Sequence, residues 1–392
     1  MLATRLRPFT TTIFSEMSEL ALATGSLNLG QGFPDTDGPA EMIRVATDAI
    51  AAGRNQYPPS QGVPELRQAV AAHQASWYGL QFSPEDEVLV TTGATEAIAA
   101  SLLALCEPGD EVVMFEPSYD SYAACAAMAG ATPRLVRLNP PDWSFDPDVL
   151  AAAFGPRTRL VLLNSPHNPT GKVFTRTELA QIAELCRVHD VLAVTDEVYE
   201  HLVFDGTHVP LATFPGMAER TLSISSGGKT FSFTGWKVGW VTGPAPLVAA
   251  VRAAKQFLTY TSGAPFQLAI AHGLEAATDT ITAFGAALKA KRDLFCDGLA
   301  KLGFTVYRPA ATYFATTDIA SIAPGLEAYE FCRALPQRCG VVAVPSSVFY
   351  GGGASAGSAG TGQTAGQTLV RWAFCKRDEV LEEALGRLAS WS

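Results

Sequence analysis

Lys229 lies in the run Ser225-Ser226-Gly227-Gly228-Lys229-Thr230-Phe231, just past Thr221-Leu222-Ser223-Ile224, which reads as a buried strand. A lysine held among glycines and hydroxyls at a strand end can have its ammonium desolvated. That lowers its pKa and makes it a nucleophile able to form a Schiff base. Most lysines are solvated surface groups, so this segment needs company before it means chemistry.

Three other segments supply it. Val191-Leu192-Ala193-Val194-Thr195-Asp196 reads as a parallel strand with Asp196 at its carboxyl end, where ligands bind in open α/β sheets. A carboxylate buried there needs a cation, and a protonated ring nitrogen would serve; a plain helix N-cap is an equal reading. Leu160-Val161-Leu162-Leu163-Asn164-Ser165-Pro166-His167-Asn168-Pro169-Thr170-Gly171 is another strand running into a turn. Pro169 pushes Asn168 away from helical geometry, so its amide can project into a crevice with two donors and an acceptor. An ordinary turn is the alternative. Val88-Leu89-Val90-Thr91-Thr92-Gly93-Ala94-Thr95 reads as strand, glycine turn and helix start. The free N–H groups there suit a phosphate, although many α/β turns look alike.

With Thr-Asp-Glu-Val-Tyr (195–199) and Gly-Lys-Thr-Phe-Ser-Phe-Thr-Gly-Trp-Lys-Val-Gly-Trp (228–240), these segments resemble the fold type I, pyridoxal-phosphate-dependent aminotransferases of class I/II. The resemblance runs from Asn28 to Phe374. Leu-Gly-Gln-Gly-Phe-Pro-Asp (29–35) and Phe-Cys-Lys-Arg-Asp (374–378) point to the branch of the kynurenine/glutamine, methionine and N-succinyldiaminopimelate aminotransferases.

The resemblance implies pyridoxal 5′-phosphate as cofactor, joined to Lys229, which then shuttles a proton between substrate and cofactor. It implies Asp196 on the pyridine nitrogen, Asn168 and Tyr199 on the ring oxygen, and Tyr119 stacked on the ring, where a plain core aromatic is the alternative. The phosphate falls to Gly93, Ala94, Thr95, Ser226 and Lys237, with Tyr57 reaching it from a neighbouring subunit of a homodimer. Arg371 is implied as the substrate carboxylate clamp, beside the Gly32 backbone. A paired guanidinium fork suits that task, against the alternative of an arginine in a surface ion pair. Phe14 and Tyr260 are implied in the side-chain pocket. The chain departs from the commoner family pattern at Gly227, where many members carry Ser, and at Lys237, where many carry Arg. Both departures leave the chemistry in place but weaken cofactor retention.

The elements that must position these residues alternate strand and helix from about residue 87 to about 245. That pattern predicts an α/β fold with a mostly parallel central sheet. Residues 46–284 are expected to form the large cofactor domain. Residues 1–45 and 285–392 are expected to form a smaller α+β domain, with helices over Ile13–Leu22 and Phe284–Leu302 and a strand over Val341–Val344. The uncharged stretch 351–367 reads as a surface loop, either covering the site or a neutral insertion.

The chain has 392 residues, 48% hydrophobic and 17% charged, enough for a large core in two domains. Its net charge of −10 and lack of a basic run disfavour nucleic acid. Seven scattered cysteines fit a reducing cytoplasm. Six histidines show no metal-ligand spacing, so no metal is expected. Neither a signal peptide nor a membrane-spanning run is read. The activity expected is exchange of an amino group between an L-amino acid and a 2-oxo acid, 2-oxoglutarate or pyruvate. The alternative is a C–S β-lyase on the same fold. A pyridoxal-binding regulator fits poorly with the intact residue set, and a nicotinamide dehydrogenase lacks its glycine fingerprint.

Overall fold

A computed structural model describes residues 2–9, 13–276, 278–351 and 366–391. A short strand, β1 (Leu27–Asn28), precedes the main sheet. That sheet comprises β2 (Val88–Thr91), β3 (Glu111–Glu116), β4 (Thr132–Arg137), β5 (Thr158–Asn164), β6 (Leu192–Asp196), β7 (Thr221–Ser226) and β8 (Gly239–Thr242). Their spatial order is β2-β8-β7-β6-β5-β3-β4. Only β8 is reversed, antiparallel to both β7 and β2. The remaining pairings are parallel.

Every residue of β2, β3, β7 and β8 is buried, as expected of strands covered on both faces. Successive side chains go to opposite covers. Val112 packs among residues of helices Gly93–Leu105, Ser121–Ala129 and Ala245–Lys255, whereas Val113 packs among those of Pro147–Ala153 and Arg176–Val188. β4, with Pro133 and two arginines, takes the sheet edge, where a missing N–H and exposed charge are tolerated. Helix Arg176–Val188 opens on a capping box between Thr175 and Glu178, directly before the apolar periodicity begins at Leu179.

A second sheet follows, from β9 (Thr305–Tyr307), β10 (Phe314–Asp318), β12 (Val344–Pro345) and β13 (Leu369–Ala373), in the order β12-β13-β10-β9, while β11 (Val341–Val342) pairs with β1. One hydrophobic cluster joins Ile13, Met17 and Leu29 to Phe295, Phe331, Trp372 and Leu388. The N-terminal helix therefore packs with the C-terminal third of the chain. The expected strand over Val341–Val344 is in fact two. Val341 and Val342 pair with Leu27 and Asn28, then Val344 and Pro345 pair with Arg371 and Val370. The switch happens at Ala343, and because Val341 to Val344 are all buried the apolar run conceals it. The stretch 351–367 lies outside the described residues except for Gly351, Gly366 and Gln367. Among the described residues no helix is long and apolar enough to cross a membrane.

The parallel strands end side by side at Glu116, Asn164, Asp196 and Ser226, and β13 presents Arg371 towards these ends. At the reversed strand, Gly239 meets the start of helix Gly93–Leu105. A Cβ on Gly239 would lie 2.8 Å from the Gly93 carbonyl carbon and 3.0 Å from the Ala94 nitrogen. Both neighbours are backbone, so neither can swing aside. Gly239→Ala is expected to destabilise the protein by about 1–3 kcal/mol through overpacking. Urea unfolding checks this; an unchanged midpoint would show that the turn is not tightly seated on β8.

Candidate active site

The strand ends enclose a cavity of about 390 Å³. Phe14, Gly32, Gly93, Ala94, Thr95, Tyr119, Asn168, Asp196, Tyr199, Ser226, Lys229, Lys237 and Arg371 all line it. Of the residues singled out in the sequence, Tyr57 and Tyr260 are not among the lining residues. Tyr57 is 83% exposed, and its ring stands edge-on to that of Tyr260 at 5.7 Å.

Lys229 sits on the single-turn helix Gly227–Thr230 that closes β7. Its Nζ donates to the Tyr313 hydroxyl at 2.8 Å and lies 5.7 Å from the centroid of the Tyr199 ring. Burial pulls the amine down to about 8, against the opposing pull of Cys375 and Asp196. A Cβ substituent on Gly227 would meet Ile270, whose Cδ1 is 2.6 Å from the ideal Cβ position. The place a serine would occupy there is thus filled by a packed side chain.

Asp196 is buried at the end of β6. Its Oδ2 accepts from the Tyr122 hydroxyl at 2.6 Å and its Oδ1 from the Val198 amide at 3.3 Å. Burial pushes its carboxyl up to about 6 despite those two donors. The helix N-cap alternative does not hold, since no α-helix follows β6 directly. A positive charge placed beside Asp196 would relieve its desolvation.

Asn168 follows β5. Its amide N–H donates to Asn164 Oδ1 at 2.7 Å, while Asn164 Nδ2 donates to the carbonyls of Pro166 and Asp196, so the turn is pinned to the strand ends. Asn168 Oδ1 accepts from Arg371 Nη1 at 3.0 Å. A guanidinium can only donate, so the carboxamide oxygen must face Arg371. The Asn168 NH₂ is left as a donor for the cavity.

Arg371 is 1% exposed. It is no surface ion pair. Its Nη2 donates to the Gly30 carbonyl at 2.9 Å, and its guanidinium carbon stands 4.0 Å from the Phe314 ring centroid, 4.9 Å from Phe349 and 5.0 Å from Phe14. Aromatic faces stabilise a desolvated cation. Burial draws its pKa down to about 10, which leaves it charged at neutral pH, and its Nε has no hydrogen-bond partner. The site therefore holds a guanidinium short of one acceptor.

At the other end, helix Gly93–Leu105 begins with N–H groups that have no partner within the helix. Lys237 lies over this start: its Nζ is 3.3 Å from the ideal Cβ position of Gly93. Ser226 adds a hydroxyl at the end of β7. Amides, ammonium and hydroxyl together make an anion cradle. Tyr119 lines the cavity with its ring edge-on to Tyr122 at 5.7 Å, and burial raises its phenol to about 12.

Sequence reasoning missed Tyr122, Tyr313 and Asn164. Tyr122 was within reach, three residues from Tyr119 and at the start of a helix. Spacing also missed a largely buried group outside the cavity lining, His73, Glu200 and the partly exposed His201, whose ligand-type atoms lie within 4.8 Å of one another. The two imidazole Nε2 atoms are 2.8 Å apart, and Glu200 accepts from Tyr78 at 2.7 Å and from Ser225. These polar atoms satisfy one another, and the group ties helix Pro64–Tyr78 to β7.

The sequence matches the family model of aminotransferase class I and II over residues 24–388. It is 51% identical to the probable N-succinyldiaminopimelate aminotransferase of Mycobacterium tuberculosis, over 99% of this chain and 98% of the relative. It is 38% identical to the methionine aminotransferase of Escherichia coli, over 96% and 95%. The solved structure of the M. tuberculosis N-succinyldiaminopimelate aminotransferase superposes with a TM-score of 0.96 at 50% identity, covering all of both chains.

The desolvated amine has a measurable consequence. In protein freed of carbonyl ligands, Lys229 should be half-methylated by formaldehyde and cyanoborohydride near pH 8, since it is protonated below its folded pKa and nucleophilic above it. Exposed lysines should follow at about 10.4. Peptide mass spectrometry across the pH range gives the midpoint; a Lys229 midpoint equal to that of surface lysines would mean that the amine is solvated.

Proposed function

The chain belongs to the class I and II aminotransferases and is an amino-group transferase, and from that premise we propose that it works with pyridoxal 5′-phosphate held on Lys229. The observation that carries this reading is the convergence, in one cavity, of a lowered lysine, a raised buried carboxylate and a buried guanidinium short of an acceptor. Each lacks what the cofactor and an amino acid would provide: a carbonyl for Lys229, a ring cation for Asp196, a carboxylate for Arg371.

The residues fit the group. Ala94 and Thr95 amides, Ser226 and Lys237 would hold the phosphate. The Asn168 NH₂, already oriented by Arg371, would donate to the ring oxygen together with Tyr199, and Tyr119 would cover the ring. Asp196, steadied by Tyr122, would keep the ring nitrogen protonated. Bound there, the cofactor supplies an electron sink for the charge left on the substrate when its Cα proton departs. Lys229 takes that proton as a neutral amine and later returns it. Arg371 clamps the α-carboxylate, with Gly32 and Phe14 beside it. After the first product leaves, a 2-oxo acid, 2-oxoglutarate or pyruvate, reverses the sequence on the same residues.

We further propose N-succinyldiaminopimelate as the amino donor, on the strength of the 51% identity. Division into residues 46–284 and residues 1–45 with 285–392 is also our proposal, supported by the hydrophobic cluster that unites both chain ends. A homodimer is supported by exposed Tyr57 and Phe257, apolar surface outside the cavity that a second copy would cover. Seven unpaired thiols favour the cytoplasm.

Borohydride reduction and peptide mapping test the cofactor. The pyridoxyl group should appear on Lys229, and its appearance on another lysine alone would refute the assignment. Release of pyruvate and ammonia from a cysteine conjugate without an oxo acid would instead favour the C–S β-lyase.

Arg371→Ala should leave the cofactor absorbance intact yet lower kcat/KM by roughly two to three orders of magnitude, because breaking a buried charged pair costs about 3–5 kcal/mol. Arg371→Lys should recover only part of it, since an ammonium cannot form the paired fork. Stopped-flow traces with an amino acid and its decarboxylated amine are decisive. An alanine variant that still prefers the amino acid as strongly as the parent would place the carboxylate elsewhere.

A further inference from the structure

Tyr313 was not singled out by any motif, yet its hydroxyl lies between two groups of the site. It donates to the Gly32 carbonyl at 2.7 Å and accepts from Lys229 Nζ at 2.8 Å. A phenol has one proton, and a carbonyl can only accept. With the Tyr313 proton given to Gly32, the oxygen faces Lys229 as an acceptor, and the Tyr199 hydroxyl also lies within hydrogen-bond reach of it.

The ring cannot easily turn away. It is 1% exposed, edge-on to Tyr199 at 5.3 Å and to Phe314 at 4.9 Å. The Tyr313 carbonyl accepts from the Phe374 amide at 2.9 Å. Gly32 can approach only because it lacks a side chain, for a Cβ there would lie 2.3 Å from Phe314 Cζ and 3.0 Å from Tyr313 Cε2. The opening loop is held in the same way at Gly30 by Arg371 and at Phe33 by Lys376. Burial keeps the Tyr313 phenol protonated well above its ordinary range, so it is no base itself.

We propose that Tyr313 is a positioning residue for Lys229: by accepting one N–H it fixes the amine when it is not bound to the cofactor, with the nitrogen lone pair free to take the substrate proton. The proposal rests on the cofactor reading above. In the step, the lone pair of Lys229 forms a new N–H bond with the proton leaving the substrate Cα, and the C–H electron pair stays with the substrate. Lys229 becomes an ammonium and is restored when it gives the proton back. Tyr313 gains and loses no proton. It accepts from both forms and binds the ammonium more strongly, because hydrogen bonds from charged donors are the stronger ones.

That difference fixes the sign of the test. An acceptor that favours the ammonium raises the pKa of Lys229, so removing it must lower that pKa further. Tyr313→Phe keeps the ring and deletes the acceptor. In the full-length variant freed of carbonyl ligands, the midpoint of Lys229 methylation should fall below that of the parent. In the cofactor-loaded variant, the first half-reaction should slow about tenfold with a larger α-deuterium isotope effect, while KM for the amino acid stays within about twofold. An unmoved methylation midpoint overturns the proposal, whatever happens to the rate, because a loss of packing alone slows turnover without shifting the titration. Failure of the cofactor reading would look different: the parent itself would then show no pyridoxyl label on Lys229.

Discussion

Arg371 is the interaction on which the rest of the site depends. A guanidinium cannot shed its charge, so burying it obliges the surroundings to neutralise or hydrogen-bond it. This chain meets that demand with pieces from distant parts of the sequence: the Gly30 carbonyl, the Asn168 amide oxygen and the rings of Phe14, Phe314 and Phe349. Because Arg371 fixes which end of the Asn168 amide faces inward, it also determines the donor that the cavity presents. The remaining Nε, without a partner, makes the site electrostatically incomplete until an acceptor arrives.

The three ionisable groups at the site take different characters from their environments. Lys229 and Asp196 are both moved towards neutrality by burial, the amine downwards and the acid upwards. Neither is so far displaced that a ligand could not restore it. The Tyr122 hydroxyl holds Asp196 back from full protonation, and Tyr313 does the corresponding service for the Lys229 ammonium. Two phenols thus act as solvent substitutes, placed once by folding rather than reorganised at each turnover.

Much of this was legible because the informative residues sit at strand ends. Asp196, Ser226 and Lys229 follow apolar runs that cannot avoid being central strands, and a parallel sheet brings such ends together. Asn168 was legible for the same reason. What stayed hidden are partnerships across elements. Tyr122 meets Asp196 from 74 residues away and Tyr313 meets Lys229 from 84. Tyr122 follows a Pro-Ser-Tyr-Asp-Ser turn that could have drawn notice to it, but both tyrosines could as well have been core aromatics. His73 and His201 stand 128 residues apart, so no local spacing could announce them. Val341–Val344 misled differently: a strand that changes sheets keeps every side chain buried, and periodicity has nothing to register.

The cavity's polarity has a direction that follows from chain connectivity. Helix Gly93–Leu105 starts straight after β2, so its positive end and Lys237 lie at the edge of the main sheet. Arg371 comes from the second sheet and bonds to the loop at Gly30 and to the Asn168 turn. Two anion-seeking ends, built by different parts of the chain, are separated by one acid and one nucleophilic amine. The residues that line the cavity between these ends include Asp196 and Lys229. The polarity of the cavity thus comes from the sheet order together with the contacts of Arg371 to the loop at Gly30 and the turn at Asn168.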